Sequence, residues 1–179
     1  MKKALPIIVV LLFFVLNFRL YAWNEPDNFR GIPWNGSESE LKKNFPDAFC
    51  MDMDGLCDRG CRSEFKIGAI SADAYFFFRN NKFIRVSLLF SPDDFLNMEG
   101  YFIEKYGNPT QKDEKEFETR GGLKYTNSIR KWKGKKIIIN LEKYHSKITE
   151  SSADIQTTDS SNEDFRILEK ERRKGAADL

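Results

Sequence analysis

Three cysteines and a run of acids share one stretch, "CMDMDGLCDRGC", from Cys50 to Cys61. Those residue types can close a disulfide, ligate a metal or supply a reactive thiolate. The C-x6-C-x3-C spacing matches none of the paired C-x2-C zinc patterns. A disulfide is the leading expectation. Joining Cys50 to Cys61 would close a loop worth ~2 to 3 kcal/mol in the chain-entropy model. Cys57 is the alternative partner, and spacing alone does not choose between the two.

Asp52, Asp54 and Asp58, with Gly55 to permit a turn, suggest a calcium loop, because hard cations want several oxygens from a compact segment. The full loop pattern fails. With Asp52 as first ligand, the bidentate glutamate of the last position would fall at Ser63. A solvated acidic loop is therefore the expectation, and no cofactor is called for. A thiol enzyme needs a base beside its cysteine. The single histidine, His145, lies in "EKYHSK" at the end of a strand-like run with no third orienting residue nearby in sequence. No catalytic residue is assigned.

The other chemically distinctive stretch is "RKWKGKK", in which Arg130, Lys131, Lys133, Lys135 and Lys136 surround Trp132. Lysines that protect a hairpin edge from aggregation explain it without a ligand. A basic tip carrying one aromatic would also suit lipid headgroups or acidic envelope polymers. Trp34, Phe76 to Phe78 and Tyr101 fall on alternating or helical faces and read as core.

The elements that position these residues follow from periodicity. Ser37 with Glu40 three residues on forms a capping box, and Leu41 and Phe45 follow at helical spacing until Pro46. From Ser63 the period becomes two. Ala74, Phe76 and Phe78 share one face, and Ile84, Val86, Leu88 and Phe90 share another across an Asn80-Asn81 turn. With a strand over residues 64–69 this makes a three-strand meander. Ser91 and Pro92 open a second helix, with Phe95, Met98, Phe102, Ile103 and Tyr106 as its stripe, which Gly107 and Pro109 close. A strand over 111–118 and a hairpin turning at Gly134 come next. "SSADIQTTDSS" reads as one more edge strand, and 161–179 as a charged tail or short helix. The class is α+β, an antiparallel meander with two helices on one face. Its order suggests a degenerate duplication of a helix-plus-three-strand unit.

Met1-Lys2-Lys3, an apolar run from Ala4 to Leu16 and a short polar end at Ala22 read as a signal peptide over 1–22, cleaved after Ala22. The apolar run is shorter than the ~20 residues a membrane-spanning helix needs. Residues 23–160 read as one domain, exported to the periplasm or beyond. Export is what favours oxidised cysteines. Lys2, Lys3 and Arg19 lie in the leader and no acid does, so the remainder carries one more acid than base. That balance argues against nucleic acid, which calls for a clustered basic surplus.

"FRGIPWN" leading into a capped helix, an aromatic hairpin, "FLNMEGYFIEKYGNP" and a later "W…IIINL" together resemble a group of uncharacterised bacterial exported proteins. In that group a Phe-x-Gly-Ile-x-Trp-Gly lead precedes the first helix and Tyr-Gly-x-Pro ends the second. Here Asn35 stands between Trp34 and Gly36. More distantly, the helix-then-meander unit is similar to the small lipoprotein of the outer-membrane β-barrel assembly machinery and to the duplicated β-lactamase inhibitor fold. The resemblance implies binding proteins rather than enzymes. The expected function is thus a non-enzymatic module contacting an envelope protein or anionic surface, any membrane contact being peripheral. A small envelope hydrolase or thiol enzyme is the alternative.

Overall fold

A computed structural model of the chain describes residues 23–119 and 121–177. The segment read as a signal peptide lies outside the described residues. Among the described residues, no helix is long and apolar enough to cross a membrane.

After a two-residue ladder of β1 (Asn28–Phe29) with β2 (Ile32–Pro33), the chain enters α1 (Glu38–Asn44) through the expected capping box. The Glu40 carboxylate accepts from the Ser37 N–H at 2.7 Å. Asn35 adopts φ +66°. Asparagine tolerates that left-handed conformation better than other non-glycine residues, so the turn before the helix closes despite the inserted residue.

Four strands follow: β3 (Phe49–Asp52), β4 (Arg59–Ile67), β5 (Ile70–Arg79) and β6 (Lys82–Phe90). Asn80 and Asn81 make the tight turn with φ of 52° and 56°. A short 3-10 turn leads into α2 (Phe95–Tyr106). Then come β7 (Gln111–Glu118), β8 (Lys124–Lys133), β9 (Ile137–Glu142) and β10 (Ser151–Thr157). The eight strands form one antiparallel sheet in the order β3-β4-β5-β6-β10-β9-β8-β7. Each half is a helix followed by a four-strand meander, and the two halves join where their last strands, β6 and β10, pair.

Three expectations change. The repeating unit has four strands, because Cys50 lies in a strand, β3, rather than in a loop. "SSADIQT" is a central strand between β6 and β9, not an edge. It looked like an edge because Ala153 and Ile155 are the only apolar residues on its core face, which they share with Ser151 and Thr157, while Ser152, Asp154 and Gln156 take the opposite face. The charged tail is a helix, α3 (Thr158–Ala177), continuous with β10.

The core lies on one side of the sheet. Leu41 and Phe45 of α1 and Phe95, Met98, Phe102 and Tyr106 of α2 pack on Phe76, Val86, Leu88, Trp132, Ile139, Leu141 and Ile155. Trp34 stacks on Phe83 at 4.9 Å. Phe77 and Tyr101, read as core, are not there. Phe77 points to the face opposite α1 and α2, and Tyr101 is 38% exposed.

The β8–β9 turn is held from outside. The Glu25 carboxylate accepts from the backbone N–H groups of Lys135, Lys136 and Ile137 at 2.7 to 3.1 Å. A Cβ at Gly134 would collide with that carboxyl, so glycine admits the approach. Burial raises the Glu25 pKa, but the three donors and the Lys136 charge outweigh it and leave the group below its ordinary value. A carboxyl whose folded pKa is depressed stabilises above its unfolded pKa, and this is lost as pH falls through the folded one. The stability gap between wild type and Glu25→Gln should therefore be full at neutral pH and shrink below about pH 4.3. Urea titrations at pH 7 and pH 3 would check this, and an equal gap at both would refute it.

Candidate functional site

Side chains on a strand alternate between faces, so the face opposite α1 and α2 is assembled by register alone. One row crosses all eight strands: Phe49, Arg62, Tyr75, Ser87, Asp154, Asn140, Lys131 and Gln111 are successive cross-strand neighbours. None of the eight is buried. A parallel row runs from Met51 and Gly60 through Phe77, Arg85, Gln156 and Ile138 to Lys133. Phe117, Tyr125 and Tyr144 form an aromatic cluster at the β7–β8 end, with Phe117 and Tyr125 stacked at 5.5 Å.

Two walls border this face. At one end the Arg79 guanidinium bonds both the Leu56 carbonyl and the Asp164 carboxylate, tying the loop before β4 to α3. At the other, the β9–β10 loop places Thr149 and Glu150 beside Glu64, Lys66, Asp73 and Leu89 around an open cleft of about 620 Å³. Between the walls lies a polar concavity of about 350 Å³ lined by Arg85, Ser87, Asn140, His145, Asp154 and Gln156.

Within it, Ser87 donates to Asp154 at 2.6 Å. His145 Nδ1 lies 3.6 Å from Glu142, whose other oxygen accepts from Asn127 at 2.7 Å. Hydroxyl and imidazole are thus committed to different carboxylates, whereas a nucleophile–base relay needs them bonded to each other. Sequence reading missed this set. The polar positions are visible as the alternate residues of β6, β9 and β10, but what brings them together is the β6–β10 pairing between distant segments.

The cysteines lie elsewhere. Cys50 and Cys61 are directly opposed across β3 and β4 and form a disulfide, facing α1. Cys57 is free and buried. Burial pushes its thiol pKa up, and the nearby Arg85 and Arg79 only partly oppose this, so the reactive thiolate is disfavoured. Glu38 lies within 4.8 Å of both bridged sulfurs, but Arg59 holds its carboxylate at 2.8 Å. The acids considered for calcium do not converge. Asp52 pairs with Arg59, and Asp58 accepts from the Asn80 N–H.

Replacing Cys50 and Cys61 by alanine is expected to cost ~2 to 3 kcal/mol, equally with and without chelator. Native-state alkylation should spare Cys57 until denaturant is added. A calcium-dependent melting temperature abolished by Asp52→Asn would overturn this reading of the loop.

The basic stretch is divided by the strand. Trp132 is fully buried and its Nε1 donates to the Gly107 carbonyl at 2.8 Å. Arg130 points to the helix side, where it binds Glu99 and Glu114 at 2.6 and 2.7 Å. Lys131 pairs with Asp113 and Lys136 with Asp27. Lys133 and Lys135 are exposed with no acidic partner among the described residues. The structure therefore does not bring these six residues together as one surface patch.

No family model, curated protein or solved structure matches the chain.

Proposed function

We propose that this chain is an exported, non-catalytic binding protein that docks a partner protein on the face of its sheet opposite α1 and α2. The observation that carries the reading is the unburied row from Phe49 to Gln111, whose side chains mix aromatic, cationic, anionic and amide types. Aromatic residues and arginine are enriched at protein interfaces. An anionic polymer or lipid surface calls for one sign of charge, whereas this face interleaves Arg62, Arg85 and Lys131 with Glu64, Asp73, Asp154 and Glu142. The disulfide supports an oxidising compartment. What supports a non-catalytic role is that Cys57 is buried and that Ser87 and His145 face different acids.

The test is photo-crosslinking from single positions of the full chain in cells that make it. A photoreactive residue at Tyr75 or Asn140 should give a discrete protein adduct. One at Leu96, exposed on α2 on the other side of the sheet, should give none. Adducts of equal yield from all three, or none from Tyr75 and Asn140, would refute the reading.

A further inference from the structure

Five arginines lie on the sheet strands, and four of them hold carboxylates: Arg59 those of Glu38 and Asp52, Arg62 those of Asp73 and Glu64, Arg79 that of Asp164, and Arg130 those of Glu99 and Glu114. Arg85 holds none among the described residues. It sits on β6 at the centre of the sheet, opposite Phe77 on one side and Gln156 on the other. Its guanidinium carbon lies 4.2 Å from the centroid of the Phe77 ring, so one face of the fork is covered, and its terminal Nη groups, which line the concavity, hold no acceptor among the described residues. The Nε is buried and has no hydrogen-bond partner. A buried donor without an acceptor is unfavourable, and a fold that satisfies its other sheet arginines leaves this one open to the concavity.

The surroundings add donors. The side-chain amides of Asn140 and Gln156 line the same concavity and make no hydrogen bond to the described residues. Asp154, the acid that lines the same concavity, accepts from Ser87. A planar guanidinium fork with neighbouring amide donors matches the planar, two-oxygen geometry of a carboxylate.

We propose that the concavity around Arg85 is a recognition subsite for an aspartate or glutamate side chain projecting from the docked partner. This rests on the docking reading above and adds its specificity. The Arg85 Nη groups donate to the carboxylate oxygens, Asn140 and Gln156 donate from the flanks, and Phe77 fixes the plane of the fork.

Two measurements on the full chain test it. In the first, the Arg85 Nε–Hε resonance, assigned by its loss in Arg85→Lys, is followed by NMR while N-acetylglutamate α-methylamide is added at constant ionic strength. The expected result is a saturable shift, with none from the glutamine analogue. An equal shift from the glutamine analogue, a shift only with inorganic phosphate, or no shift overturns the subsite. In the second, Arg85→Gln should lower the cross-link yield from Tyr75 by roughly tenfold or more, the loss expected when one partner of a desolvated ion pair is removed, while the melting curve stays close to wild type. If cross-linking from Tyr75 persists undiminished, the subsite fails and the docking reading stands. If the carboxylate probe binds but no position on the face cross-links, the docking reading fails and with it the partner as source of the acid.

Discussion

Trp132→Ala should lower the unfolding free energy by about 3 to 5 kcal/mol, the usual cost of truncating a fully buried aromatic. The side chain is fully buried, packs on Phe102 with ring centroids 5.8 Å apart, and lies opposite Ile139. Truncation also leaves the Gly107 carbonyl, at the end of α2, without its indole donor. Trp132→Phe fills most of the volume and should cost less, the remainder reflecting the missing N–H. The measurement is urea unfolding, with Lys133→Ser and Lys135→Ser as controls expected within ~0.5 kcal/mol of wild type. A tryptophan serving as a surface anchor would give the opposite pattern, an unchanged midpoint in Trp132→Ala. That outcome would refute its place in the core.

Arg130→Ala should cost a comparable ~3 to 5 kcal/mol, because breaking a buried pair strands the remaining charge. Arg130 and Glu99 are each only 11% exposed, so removing the guanidinium leaves the Glu99 carboxylate between α2 and the sheet with no cation. Burial lowers the Arg130 pKa, but Glu99 and Glu114 more than reverse this and hold it above its ordinary value. The double variant Arg130→Met/Glu99→Leu removes both charges, and apolar replacement of a buried pair is often close to neutral. It should therefore be more stable than Arg130→Ala. If the double variant loses as much as both single variants added together, the two residues are not coupled and the ion-pair account is wrong.

These two residues show what periodicity can reveal and what it cannot. The strand through Arg130 and Trp132 is legible from its turn at Gly134 and from the alternation of Ile137, Ile139 and Leu141 beyond it. Which face each residue takes is set by register with β9, and both Trp132 and Arg130 fall on the helix side. A strand so rich in lysine and arginine hides that one of its cations is internal, because the acid that neutralises it, Glu99, lies on α2 far away in sequence. The cysteine pairing was legible to within one choice, and the direct opposition of Cys50 and Cys61 across two strands made that choice. Both helices and both Asn-turned strands were legible because their signals are local. The concavity around Arg85 was not, since it depends on β6 finding β10 across the whole second half of the chain.

That seam also sets an order of events for a chain that emerges N-terminus first. β6, "KFIRVSLLF", is among the most apolar of the strands, and its outer edge is capped by β10, which follows about seventy residues later in the chain. Until β10 arrives, the first half keeps that hydrogen-bonding edge open. Unpaired apolar edges are templates for intermolecular pairing. That interval is a window of aggregation risk that neither half can shorten alone.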